Sequence, residues 1–298
     1  MFAKAGCSVV ADRWWHVCCG SFGRATNALP EFADAGADSG RGPLRRHHIA
    51  DVVRPLRLQW HYEVLTDSAR HQVRDRLMQI KAILFDIDGT LVDTNDMHVL
   101  AWEEAFAVVG AAFDRRVIHD QIGKGTDMLV PTLLPDADED QQKELGDTHA
   151  AIFKAKYLHV AKPFAQAGEL MAHAHGLGQR VILASSASDA ELNHYIDLLD
   201  ARDLIAATTS SDDVERTKPA PDIFATALKR VPGITPADAI VVGDTPYDIE
   251  AAGKCGIAAL AVRSGKFKDA QLQSAGAIAI YDDVAALLAS YATSPLGH

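Results

Sequence analysis

The sequence predicts an α/β fold, a Rossmann-like parallel sheet core with an inserted α-helical cap domain. Apolar runs without alternation recur at 82–85, 181–184, 239–242 and 258–262, as expected for strands covered on both faces. Helical stretches at 189–199, 221–230 and 248–255 separate the later runs, the strand–helix rhythm of a parallel sheet. Between the first and second runs that rhythm breaks, and residues 95–165 read as helices alone.

The first run ends abruptly in Asp86-Ile87-Asp88-Gly89-Thr90. Side chains at i and i+2 of a strand leave on the same side, so Asp86 and Asp88 can face a common point. Gly89 then lets the chain turn close to a ligand. Taken alone, Asp before Gly is also ordinary turn chemistry. The second run ends in Ser185-Ser186, and Thr217-Lys218-Pro219 places a lysine just before a helix start. The run at 239–242 leads into Gly243-Asp244-Thr245-Pro246-Tyr247-Asp248. Each polar group follows an expected strand or opens an expected helix, so all can gather at the carboxyl edge of one sheet, where open α/β sheets bind ligands.

These four motifs, in this order over residues 79–298, resemble the haloacid dehalogenase-like hydrolase superfamily, and the helical insertion resembles its helical-cap branch. The resemblance implies Asp86 as nucleophile, Asp88 as general acid/base, Ser185 and Lys218 as phosphate-binding residues, and Asp86, Asp88, Asp244 and Asp248 around a magnesium ion. Asp88 would contribute to the metal site near its backbone carbonyl, and Asp248 either directly or behind the other ligands. Elementary electrostatics agrees. A carboxylate attacking a phosphate ester brings anions together at a cost of about 4 kcal/mol per pair at 4 Å and an effective dielectric of 20, so cations are required. The leaving alkoxide needs a proton, which Asp88 can supply.

In the insertion, Asp96 is expected to cap a helix running through Val108, with further helices at 127–134 and 138–157. His98, followed by Ala101-Trp102, resembles β-phosphoglucomutase and its phosphatase relatives, and His98 is a substrate-side candidate beside the plainer reading of a hinge or surface histidine. Lys124, in the Gly123-Lys124-Gly125-Thr126-Asp127 loop, is the second cap candidate. His173 and His175 read as solvated. The resemblance implies a phosphatase acting on a small phosphorylated metabolite. A phosphosugar mutase is the alternative, disfavoured by Gly243-Asp244 where that enzyme has Glu-Asp and by the lack of a lysine after the serine-rich turn. A non-catalytic phosphate-binding regulator is the third reading.

The 298 residues carry a formal charge of −11, distributed unevenly. Residues 1–78 hold 11 Lys and Arg against 8 Asp and Glu, and the remaining 220 residues hold 18 against 32. An acidic body argues against nucleic acid as a partner, because that binding depends on phosphate neutralisation. No apolar stretch reaches the length of a bilayer span, so no membrane partner is expected. Cys7, Cys18, Cys19 and Cys255 form no zinc-like spacing or disulfide framework, which fits a cytoplasmic enzyme; the sequence leaves monomer or homodimer open. Residues 1–78 hold three of the four tryptophans and lack sustained periodicity except at 64–78. One economical reading is a disordered extension or a mis-annotated start before Met78, and the alternative is a regulatory or targeting segment; the core then lies at 79–94 and 166–298 and the cap at 95–165. His47-His48 lacks partners at ligand spacing.

Overall fold

The computed structural model describes residues 80–297. The expectations for residues 1–78 lie outside the described residues. Six parallel strands form one sheet: β1 (Ala82–Phe85), β2 (Arg180–Ala184), β3 (Ile205–Thr209), β4 (Ala239–Gly243), β5 (Ala258–Val262) and β6 (Ala279–Tyr281). Their spatial order is β3-β2-β1-β4-β5-β6, so β1 lies in the middle, with Phe85 level with Leu183 on one side and Val242 on the other.

Alternation within the apolar runs builds two cores. Ile83, Phe85, Val181, Leu183, Ile240 and Val242 face one layer, made of α5 (Ala167–Gly176), α6 (Asp189–Leu198) and α10 (Val284–Ala289). Leu84, Ile182, Val241 and Ala259 face the opposite layer, made of α7 (Asp222–Lys229), α8 (Pro246–Lys254) and α9 (Asp269–Ala275). Burial on both faces removes the need for polar alternation, which is why these strands read as continuous apolar runs.

The insertion between β1 and β2 contains α1 (Asn95–Val108), α2 (Arg115–His119), α3 (Thr126–Leu133) and α4 (Glu139–Lys156). It has its own apolar cluster, in which Trp102 and Phe106 of α1 meet Ile118, Leu129 and Leu145. The ends of α4 are specified locally: Asp138 and Gln141 form a capping box, and Lys154 and Lys156 complement the dipole of the last turn.

Two elements differ from the sequence expectation. α1 starts at Asn95 with Thr94 in the capping position, and Asp96 falls inside the first turn rather than capping it. The Asp96 carboxylate is instead paired with Lys266, and Asn95 before it is engaged across the molecule with Asp244. Strand β3, Ile-Ala-Ala-Thr-Thr, has no apolar run because it is an edge strand and only partly covered. Among the described residues, no helix is long and apolar enough to cross a membrane.

Leu84 is fully buried on the central strand. Leu84→Ala should therefore lower unfolding free energy by about 2–5 kcal/mol, read as a reduced urea midpoint at constant slope.

Candidate active site

β1 ends level with Leu183 and Val242, one residue before the ends of β2 and β4, and the polar residues that follow the three strands converge there. Asp86 lies directly past β1, its amide donating to Val242 O at 2.9 Å. Lys218 enters from the segment between β3 and α7. It is 1 % exposed, and its Nζ donates to Asp86 Oδ1 and, at 2.7 Å, to Asp248 Oδ1. Asp248 is held in turn from its other oxygen, which accepts from Thr245 Oγ1 at 2.7 Å and Thr245 N at 3.1 Å in the capping box that starts α8. Asp244 accepts from Thr90 Oγ1 at 2.9 Å and from Asn95 Nδ2 at 2.8 Å.

Carboxylate oxygens of Asp86, Asp244 and Asp248 come within 4.8 Å of one another, all buried. Burial, only partly offset by Lys218 and worsened by Asp248 and Asp88, pushes the Asp86 carboxyl up to about 7. Burial and the neighbouring carboxylates raise Asp244 well above its ordinary range. Lys218 shifts upward, since Asp248 and Asp86 outweigh the burial that opposes its charge. Three carboxylates around one ammonium leave excess negative charge, and an all-oxygen donor set of this kind suits a hard divalent cation. Asp88 stands apart from this triple, because its carboxylate turns the other way. It accepts from Thr94 Oγ1 at 2.7 Å, lies 3.2 Å from His98 Nε2, and receives the Ser185 hydroxyl at 3.4 Å. Burial opposes the Asp88 charge, but His98 and Thr94 outweigh it and hold the group down to about 2.

Asp86, Asp88, His98, Lys124 and Lys218 all line one cavity of about 350 Å³ between sheet edge and insertion. Ser185 is fully buried beneath it, with its hydroxyl also accepting from Ala187 N at 3.0 Å, while Ser186 stands on the cavity wall. Lys124 donates to Gln121 Oε1 at 2.6 Å and sits 4.7 Å from the Tyr247 ring centre, so its ammonium is committed to the wall and makes no bond to the site carboxylates. His173 and His175 are exposed on α5.

The loop around Lys124 is tightly docked. A Cβ at Gly123 would meet Thr245, and one at Gly125 would meet Thr217, whose hydroxyl accepts from Gly125 N at 2.9 Å. Asp127 accepts from Thr217 N at 2.9 Å. Two residues shape the surroundings of Asp244 without a signal in the sequence. Asn95 restrains Asp244, and Gly265 leaves it room: a Cβ there would lie 1.9 Å from Asp244 Oδ2. Asn95 follows the first motif at no diagnostic spacing, and Gly265 lies in an unpatterned turn after β5.

A family model described as haloacid dehalogenase-like hydrolase matches residues 83–262. The chain belongs to this hydrolase family. Its relatives include fructose-1-phosphate phosphatase YqaB of Escherichia coli, 28% identical over 186 residues that cover 61% of this chain and 95% of the relative. Protein CbbY of Rhodobacter capsulatus is 26% identical over 60% of this chain and 84% of its own length. Among solved structures, a hydrolase from Pseudomonas syringae superposes with a TM-score of 0.67 at 27% identity, covering 72% of this chain and 98% of that one. The parallel sheet with its helical insertion is thus the architecture of this hydrolase family.

The crowded carboxylates have a consequence for stability. With no cation bound, the folded chain keeps a proton on Asp86 between its ordinary value of 3.8 and about 7, where the unfolded chain has lost it. The folded state then binds more protons, so stability falls as pH rises through that window. The opposite shift of Asp88, down to about 2, is exhausted below that window. Buried His149 works against Asp86 inside it, because its imidazole stays neutral in the fold while the unfolded chain takes up a proton there. The Asp86 contribution is therefore read as a difference: from pH 4.5 to 7, chelator-treated wild type should lose melting temperature relative to chelator-treated Asp86→Asn. An identical pH dependence in the two proteins would contradict this electrostatic picture.

Proposed function

We propose that this hydrolase is a magnesium-dependent phosphatase that hydrolyses a small phosphorylated metabolite through a phosphoryl group carried on Asp86. The observation that carries the reading is the placement of Asp86, paired to buried Lys218, and of Asp88, turned away from the carboxylate triple, on the wall of one cavity. Its volume suits a small-molecule ligand. The relative's name, fructose-1-phosphate phosphatase, points to the same reaction class.

In this reading Asp86 Oδ attacks phosphorus, forming the aspartyl-phosphate as the bond to the ester oxygen breaks. Asp88 gives its proton to the departing alkoxide. It then takes a proton from water as that water attacks phosphorus, which releases inorganic phosphate and regenerates the Asp86 carboxylate. Without substrate, His98 and Thr94 hold Asp88 ionised against its burial. A phosphate monoester beside it adds negative charge, which favours the protonated form that the first step needs. Lys218 fixes the Asp86 rotamer and places positive charge next to the transferring group. Asp248 is a positioning residue that holds Lys218. Asp86 and Asp244, with Asp248 beside them and Asp88 contributing only from its main chain, would hold Mg²⁺, which supplies charge neutralisation for the phosphoryl oxygens. Residues 95–165 act as the cap: their Gly123–Asp127 loop closes on Thr217 and Thr245 and excludes water from the reaction.

The test is release of inorganic phosphate from a panel of sugar, polyol, nucleotide and phosphoglycolate esters. Wild-type protein with magnesium should turn over at least one of them, EDTA should suppress that turnover, and Asp86→Asn should lower kcat by at least about 10³-fold. Isomerisation of a sugar phosphate without phosphate release would contradict the proposal and favour a mutase.

A further inference from the structure

Behind Asp88 and His98 lies a second histidine, His149, with no part in the proposed reaction. His98 of α1 places Nε2 3.2 Å from Asp88 Oδ1, and its other ring nitrogen, Nδ1, lies 3.3 Å from Nε2 of His149 on α4. Both rings are clamped. His98 stacks on Phe153 with ring centres 3.9 Å apart and planes 4° from parallel, and His149 stacks on Trp102 at 4.1 Å and 13°. His149 also lines the cavity. Burial, then the neighbouring His98, pushes its imidazole well below the usual histidine range, so it is neutral and offers one donor and one acceptor nitrogen.

Asp88 Oδ1, the two ring nitrogens of His98 and Nε2 of His149 thus form one continuous line of contacts, each ring held by an aromatic face. What the second nitrogen of a histidine binds generally sets the orientation and role of the first, and His149 stands where it orients the His98 ring from behind.

We propose that His149 is a positioning residue for the acid/base group Asp88, fixing the ring orientation of His98 through the Nδ1 to Nε2 contact. This rests on the phosphatase reading above. If His149 only packs the insertion, an aromatic of similar shape replaces it. If it positions His98, the hydrogen bond is what counts, and its loss falls hardest on esters whose leaving group needs a proton.

The experiment compares kcat for an alkyl phosphate substrate and for p-nitrophenyl phosphate in wild type, His149→Phe, His149→Gln and Asp88→Asn, with melting temperatures as a check on folding. His149→Phe should lower kcat on the alkyl ester about 10-fold more than on the aryl ester, a loss on the scale of removing an orienting partner from a functional histidine. KM should move little. His149→Gln, which keeps a donor and an acceptor, should recover most of the difference, and ¹⁵N shifts of the His98 ring should change in the Phe variant and not in the Gln variant. Should His149→Phe misfold, His149→Leu carries the same expectation. Equal effects on both esters, with Asp88→Asn still selective for the alkyl ester, would overturn the role of His149 alone. Loss of that selectivity in Asp88→Asn as well would overturn the acid/base reading beneath it.

Discussion

Three buried carboxylates meet at the carboxyl edge of the sheet beside one buried ammonium that pairs with only two of them, and the site is organised around that imbalance. Lys218 is paired with both Asp86 and Asp248. Removing one partner of such a group leaves a buried charge uncompensated, which is far costlier than losing an exposed ion pair. The hydrogen bonds around it follow from the same need. Thr90 and Asn95 restrain Asp244, Thr245 restrains Asp248, and the Gly265 backbone passes where any side chain would collide with Asp244. Rigid placement matters because charge that must be relocated during a reaction loses most of its stabilising value.

The helical insertion completes the site from the opposite side. Its loop donates to Thr217 and packs on Thr245, so residues adjacent to Lys218 and Asp244 also dock the wall of the cavity. Docking and electrostatics thereby share residues along the chain. In the proposed reaction this ties closure of the cavity to the alignment of Lys218, and substrate choice falls to side chains of the insertion and of the turn after β2.

Much of the arrangement was legible in the sequence, for a physical reason. Asp86, Ser185 and Asp244 each follow an apolar run, and strands buried on both faces announce themselves by that lack of alternation. Lys218 shortly precedes the start of α7 and Asp248 lies in the first turn of α8, where turn and capping chemistry marks the boundary. What the sequence hid depends on tertiary approach. Asn95 and His149 sit on helices whose patterns give no sign of them, and they reach Asp244 and His98 only because the insertion folds back on the sheet edge. Gly265 is one glycine among 21 until the backbone is seen against Asp244. Strand β3 was obscured because an edge strand needs no apolar run, and the start of α1 because the Asp96 carboxylate pairs with distant Lys266 instead of capping the helix.

The central claim is that Asp86 becomes covalently phosphorylated. Acid quenching of the enzyme during turnover of its best substrate, followed by peptide mass spectrometry, tests it most directly. A peptide containing Asp86 carrying the mass of one phosphoryl group, absent in the Asp86→Asn variant, is the predicted result. Turnover with no phosphorylated peptide under conditions that preserve acyl phosphates, or a phosphoryl group on a different residue, would contradict it.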